Sequence, residues 1–424
     1  MNKTITEPPG RLPSSLRSKQ NVFSFPHSKY APQSQLEIAL PSPYRSVDDV
    51  VHDLRPEEPV QCLRPAVIAQ TAKWFLRNFP GDVMYAVKCN PEARVLRILA
   101  RAGVKHYDVA SLAEVKLVAE TLPGAKLYFM HPVKSRHAIR DAYFQYGVRD
   151  FSLDSQEELE KILEATQGAE DLALYVRLSV PNDEALMSLT GKFGVKLDDA
   201  AALITATRAQ ARKLGVCFHV GSQCMNPEAY ANTITKVVDL LAETGVKLDV
   251  LDIGGGFPSI YPGMMPPSLT TYMKTIKKSL KSHPSLEHAQ VVCEPGRALV
   301  AEGGSMIVQV DARKGDMLYI NDGTYGSLFD AGIPGFTYPV RAIRPGGTFA
   351  QEEAAFGFFG PTCDSMDAMK GPFYLPVDIR EGDWIEIGQL GAYGHTMRTN
   401  FNGFYTDTTV EVMDKPLLSI FGVN

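Results

Sequence analysis

Residues 248–258 read LDVLDIGGGFP, a short run carrying Leu248, Val250, Leu251 and Ile253 that is stopped by three successive glycines and a proline. Apolar residues in so short a run, cut off by Gly and Pro, mark a buried strand that ends in a tight turn. The same design recurs on both sides of it. Val83 to Val87, His106 to Val109, Leu127 to Met130, Arg149 to Ser152, Leu172 to Ser179, Val216 to Val220 and Val291 to Cys293 are further apolar-rich runs, which with Leu248 to Ile253 make eight candidate strands. Between them lie segments of helical period, such as Ser111 to Glu120 and Ser155 to Thr166. Both open Ser-x-x-Glu, so Ser111 with Glu114 and Ser155 with Glu158 read as capping boxes. Eight strands alternating with helices over about 230 residues is the count of a (β/α)8 barrel, although an open doubly wound sheet alternates in a similar way.

After Pro295 the rhythm changes to alternating stretches such as Ser305 to Val310 and Trp384 to Ile387. The pattern predicts an α/β chain in which residues 64–300 form the barrel and residues 301–424 a second, mostly β domain. Residues 36–63 join that domain, with Pro59 to Leu63 as an added strand. Residues 1–35 hold Pro8, Pro9, Pro13, Pro26 and Pro32 among polar residues and read as a mobile arm. The 424 residues are 45% hydrophobic with a net charge of −5, which supplies large cores and no polycationic face for nucleic acid. Six cysteines without a Cys-x-x-Cys pair fit free thiols in a reducing compartment. With no apolar leader and no long apolar run, the expectation is a cytoplasmic protein without a membrane segment.

Barrel chemistry collects where strands end, so those residues are the ones to inspect. Val87-Lys88-Cys89 places a lysine where an apolar run gives out, and a desolvated lysine would lose its proton and serve as a nucleophile toward an aldehyde. His219-Val220-Gly221-Ser222 adds an imidazole and a hydroxyl, Gly254 to Gly256 a turn whose N–H groups can approach an anion, and Glu294-Pro295-Gly296-Arg297 a carboxylate, a glycine and a cation suited to phosphate. Amine, phosphate cradle and buried acid together meet the needs of pyridoxal phosphate. The acid would keep the pyridine ring protonated and able to absorb the electrons of a carbanion, which favours decarboxylation.

The runs around Lys88, His219 to Ser222, Gly254 to Gly256, Glu294 to Arg297 and Gly360-Pro361-Thr362-Cys363-Asp364 resemble the fold-type III pyridoxal-phosphate basic amino-acid decarboxylases, the ornithine and lysine enzymes above all. The likeness spans about residues 60 to 408. It implies an alanine-racemase-like barrel followed by a β domain, and a homodimer with shared active sites. Lys88 would hold the cofactor by its aldehyde, Glu294 would pair with the ring nitrogen and His219 would stack on the ring. Ser222, Gly255, Gly256, Gly296, Arg297 and Tyr393 would surround the phosphate, and Asp108, Glu114 and Arg177 would line the cofactor site. Cys363 and Asp364 would arrive from the second subunit, the thiol as the proton donor to Cα and the carboxylate on the substrate's distal amine. Lys192 with Asp367 would form a salt bridge between subunits.

The stretch Asn321 to Asp330 holds Tyr325 and no arginine to meet a distal carboxylate, so it departs from diaminopimelate decarboxylases and offers Asp330 as a second partner for a distal ammonium. The resemblance therefore implies decarboxylation of L-ornithine, with L-lysine, one methylene longer, as a second substrate. Another diamino acid and a non-catalytic regulatory homologue are the alternatives, and retention of Lys88, Glu294, Arg297 and Cys363 counts against the second. A cofactor-free Schiff-base aldolase would leave Glu294 without a task. A racemase of this fold would carry an arginine at the ring nitrogen instead.

Overall fold

The computed structural model describes residues 43–180, 185–187 and 191–421; the expected arm, 1–35, and residues 36–42 lie outside the described residues. The chain enters through β1 (Val60–Leu63) and then lays down β2 (Asp82–Ala86), β3 (His106–Val109), β4 (Lys126–Phe129), β5 (Asp150–Leu153) and β6 (Ala173–Ser179). Two short strands follow, β7 (Ala185–Met187) and β8 (Val195–Lys196), then β9 (Lys213–Cys217), β10 (Ser222–Cys224), β11 (Val250–Asp252) and β12 (Gln290–Cys293). β2 to β6, β9, β11 and β12 each run parallel to the next, and β12 returns to pair with β2, closing an eight-stranded barrel. This is the alanine-racemase-like architecture, and it excludes the open sheet. Alternation decides which way each side chain goes. Met84, Tyr128, Tyr175, Cys217, Val250 and Val292 fill the interior, while Val83, Tyr85, Tyr107 and Val109 pack against the surrounding helices.

One strand is displaced from its sequence reading. The run expected at Val216 to Val220 pairs instead from Lys213, opposite Ala173, to Cys217, opposite Arg177. Gly215 lies inside this strand under the Tyr175 ring, and a Cβ there would come within 2.3 Å of that ring. His219 and Val220 consequently stand beyond the strand, on the loop leading to Ser222. Ser111 Oγ accepts the Glu114 N–H at 3.2 Å, and the Glu114 carboxylate returns to the Ala110 N–H at 2.7 Å. Ser155 caps in the same way, but Glu158 turns its carboxylate to the buried Lys134, at 3.0 Å. Lys134 also donates to the carbonyls of His131 and Ser152, tying the ends of β4 and β5 together, and burial pulls its pKa down to about 8.

The remaining strands are β13 (Gly304–Lys314), β14 (Met317–Ile320), β15 (Val340–Ile343), β16 (Glu353–Phe359), β17 (Ala368–Pro376), β18 (Trp384–Ile387) and β19 (Thr409–Glu411). They form a sheet in the order β15-β18-β13-β14-β16-β17, with β1 antiparallel on β13 and β19 parallel on β1. Its core includes Val308, Ile385, Ile387 and the stacked pair Phe358 and Phe373, whose centroids are 4.1 Å apart. No helix among the described residues is long and apolar enough to cross a membrane, and all six cysteines are free thiols.

Arg64 fastens the barrel to this sheet. It follows β1, is buried, and donates to Glu386 at 2.7 Å, Ser305 at 2.8 Å and Asp414 at 3.0 Å. Arg64→Met should cost about 3 kcal/mol, because Glu386 and Asp414 lose a buried counter-ion while Arg341 still holds Glu386. The shift of the urea unfolding midpoint measures this, and an unchanged midpoint would show that Arg64 is not the fastener.

Candidate active site

A cavity of about 310 Å³ opens where β2, β9, β11 and β12 end. It is bordered by Ala86, Lys88, His219, Ser222, Gly256, Phe257, Glu294, Gly296, Arg297, Phe329, Asp330, Tyr393 and Met397, and its volume suits a small organic ligand. Beyond β2 the backbone makes a 3-10 turn over Val87–Cys89, pinned by the Tyr85 hydroxyl on the Asn90 carbonyl and by the Asn90 side chain on the Gly391 carbonyl, both at 2.9 Å. That turn aims Lys88 into the cavity, where its Nζ meets the buried Asp108 at 3.2 Å.

This corrects the expectation of a desolvated, readily deprotonated lysine. The side chain is 46% exposed to the open cavity, and Asp108 first, then Glu294, hold its pKa above the ordinary value, so Lys88 rests as an ammonium. His219 shows the opposite shift. Burial, reinforced by Arg177 and Lys88, pushes its pKa well below the usual value, and the Gly221 N–H donates to its Nδ1 at 2.9 Å. The ring is neutral and carries its proton on Nε2.

The glycine turn is built by close approach. Gly254 and Gly256 have φ of +68° and +97°, and a Cβ on Gly255 would lie 2.6 Å from the Glu294 carbonyl and 3.0 Å from His219 Nε2. The carbonyls of Gly254, Gly255 and Gly256 accept from the Glu294 N–H, the Tyr230 hydroxyl and the Cys224 N–H, at 2.8, 2.9 and 2.9 Å. Gly256 and Phe257 border the cavity. Glu294 is 4% exposed, and its buried Oε1 has no hydrogen-bond partner among the described residues. Burial and Asp108 raise its pKa while Lys88 and Arg177, the latter half-buried on β6, pull it down.

Arg297 reaches the cavity already paired. Its guanidinium donates to the Tyr261 hydroxyl at 2.8 Å and to Asp330 at 3.0 Å, and lies 4.8 Å from the centre of the Tyr393 ring. Tyr393 is held by its own N–H on the Cys89 carbonyl at 2.9 Å. Asp330 thus borders the cavity with one oxygen committed to Arg297, which limits its expected service to a distal ammonium.

Tyr325, Cys363 and Asp364 do not border the cavity of their own chain. Cys363 is exposed, its N–H on the Asn402 side chain at 3.1 Å, and Tyr325 donates to Asp364 at 2.5 Å. Asp367 is 2% exposed, and its carboxylate accepts from the Thr324 N–H and from the N–H and hydroxyl of Thr362. These bonds hold Asp367 within its own chain; Lys192, its expected partner across the subunits, is exposed, with its ammonium 4.9 Å from the Phe193 ring centre. Sequence reasoning missed Phe257, Phe329 and Met397, the apolar wall, because nothing local distinguishes them from core residues. It also passed over Asp252, although that residue ends a strand immediately before the glycines.

Asp108→Asn removes the largest influence that keeps Lys88 protonated. The expected result is a Lys88 that reacts with an aldehyde reagent at lower pH than in the unaltered chain, followed by mapping the modified lysine across a pH series. An unshifted profile would show that Asp108 does not set the charge of Lys88.

The amino-acid sequence matches pyridoxal-dependent decarboxylases in two parts, the pyridoxal binding domain over residues 65–301 and the C-terminal sheet domain over residues 235–391. A lysine/ornithine decarboxylase of Selenomonas ruminantium is 31% identical over 359 residues, 82% of this chain and 88% of that protein. Antizyme inhibitor 2 of Xenopus laevis is 30% identical over 361 residues, 78% of this chain and 75% of that protein. The crystal structure of a Vibrio vulnificus lysine/ornithine decarboxylase complexed with cadaverine is similar with a TM-score of 0.74 at 31% identity, covering 87% of this chain and 98% of that one. The residues fit the cofactor these matches require, pyridoxal 5'-phosphate: an orphaned buried carboxylate oxygen for a ring N–H, a turn too close-packed for any Cβ beside it, and an amine for the aldehyde. The protein is an ornithine decarboxylase-like carboxy-lyase acting on a basic amino acid. The chain belongs to the pyridoxal-dependent decarboxylase family.

Proposed function

We propose that the chain decarboxylates L-ornithine, with L-lysine as a second substrate, to putrescine and cadaverine for polyamine biosynthesis. The observation that carries this is the charge inventory of the cavity wall. Its described cations are Lys88, paired with Asp108, and Arg297, paired with Asp330, so no guanidinium is left to receive a distal carboxylate. Diaminopimelate is disfavoured for that reason. The likeness to antizyme inhibitor 2 raises a non-catalytic reading, but Lys88, Glu294, Arg297 and Cys363 are all present, and a regulator has no need of the four together.

When bound, pyridoxal phosphate supplies a protonated pyridine ring that takes up the electron pair left at Cα as carbon dioxide departs. Lys88 would hold its aldehyde through Nζ, with Asp108 beside that nitrogen. Glu294 would hold the ring N–H through its carboxylate. His219, neutral and fixed by Gly221, would cover the ring without adding a positive charge that competes for Glu294. Gly255 and Gly256 would bind phosphate together with Ser222, Gly296, Arg297 and Tyr393, while Glu114 and Arg177 support the cofactor site.

Cys363 would pass its thiol proton to Cα, and Asp364, with Tyr325 on its carboxylate, would hold the distal amine. Both would come from a second copy, since neither borders the cavity of its own chain. The position of Cys363 thus supports the homodimer, in which Lys192 with Asp367 would form the salt bridge between subunits.

Carbon dioxide release with added pyridoxal phosphate, compared for L-ornithine, L-lysine, L-arginine and meso-diaminopimelate at equal concentration, tests the substrate. Release from ornithine or lysine well above the other two is expected; release from diaminopimelate alone, or from none, would sink the proposal. The shared site has its own test. Lys88→Ala and Cys363→Ala chains should each be inactive or misdirected, and mixing them should restore up to about a quarter of wild-type activity, the share expected for statistical hybrids with one intact site. Confirmed hybrids without recovery would refute completion by the second copy.

A further inference from the structure

Asp252 is wholly buried at the last position of β11, and Glu294 lies just past the end of β12. The two strands are neighbours, with Asp252 opposite Val292, and the Glu294 N–H is bonded to the Gly254 carbonyl at 2.8 Å. Asp252 Oδ1 accepts the Gly254 N–H, also at 2.8 Å, which fixes the carboxyl plane. Both acids thus stand at the ends of neighbouring strands. Oδ2 of Asp252 and Oε1 of Glu294 are both buried, and neither has a donor among the described residues. Two carboxylates in such a place would repel each other at low dielectric, so one of them must carry a proton.

We infer that Asp252 is a positioning residue for Glu294: it keeps its proton and donates it in a hydrogen bond to the Glu294 carboxylate, which stays ionised and aimed at the cofactor's ring nitrogen. The charged groups facing the pair decide which acid holds the proton. Lys88 and Arg177 both stabilise the Glu294 anion, whereas Asp108 opposes ionisation of either acid. The surroundings of Asp252 are Cys217, Cys293, Tyr128 and Tyr175, which offer it no cation.

The inference rests on the assignment of Glu294 to the ring nitrogen, and the experiment separates the two. In Asp252→Asn the amide keeps an acceptor for Gly254 and a donor for Glu294; Asp252→Ala keeps neither. Pyridoxal phosphate affinity of the full-length chain, read by absorbance titration, should be within about threefold of wild type for Asp252→Asn and weaker by roughly 10- to 100-fold for Asp252→Ala, the worth of a hydrogen bond to a charged group. The infrared spectrum of the cofactor-free chain at neutral pH should contain a carboxylic-acid carbonyl band that Asp252→Asn removes. An Asp252→Asn chain that binds as weakly as Asp252→Ala, or a band that persists in it, would overturn the inference. Should either variant fail to fold, absence of the band from the wild-type chain would overturn it alone. Failure of the wild-type chain to bind pyridoxal phosphate would instead count against the cofactor role of Glu294 and leave the shared proton standing.

Discussion

Charge compensation among buried carboxylates governs the mouth of this barrel. Asp108, Asp252, Glu294 and Asp330 are buried there, and an unpaired charge in such surroundings costs several kcal/mol. Lys88 answers Asp108, Arg297 answers Asp330, Arg177 and Lys88 share Glu294, and His219 contributes by staying neutral. The strand ends, the 3-10 turn after β2 and the glycine turn after β11 can be understood as the backbone that brings these partners into register. An active site assembled this way is a set of balanced pairs in which Asp252 and Glu294 each keep a buried oxygen without a partner among the described residues.

The barrel was largely legible in the chain because each of its strands is buried on both faces and therefore reads as an unbroken apolar run, while the helices between them carry their own period and caps. Where that legibility failed, a tertiary neighbour was responsible. The strand expected from Val216 begins at Lys213, and Gly215 within it is a place for the Tyr175 ring. Glu158 satisfies the spacing of a capping box, yet a buried lysine claims its carboxylate.

The site followed a similar course. Residue types at strand ends named Lys88, His219, Ser222, Glu294 and Arg297, and the structure places all five on one cavity. The charge state of Lys88 was misread because the deciding neighbour, Asp108, comes from the adjacent strand twenty residues away. Pairing of Arg297 with Asp330 was equally hidden, since it joins a barrel residue to the sheet domain. Phe329 and Met397 carry no local mark at all; they matter only because the chain folds them against the same space.

The three carbonyls of the glycine turn have a consequence of another kind. Each is tied to a different part of the molecule: one to the backbone after β12, one to a tyrosine on the helix Glu228–Thr244, one to β10. A loop of consecutive glycines would ordinarily lose more backbone freedom on gripping an anion than any other sequence. Here that entropy was surrendered when the chain folded, so the cradle meets its ligand already rigid, and most of the energy of each new contact is retained as affinity.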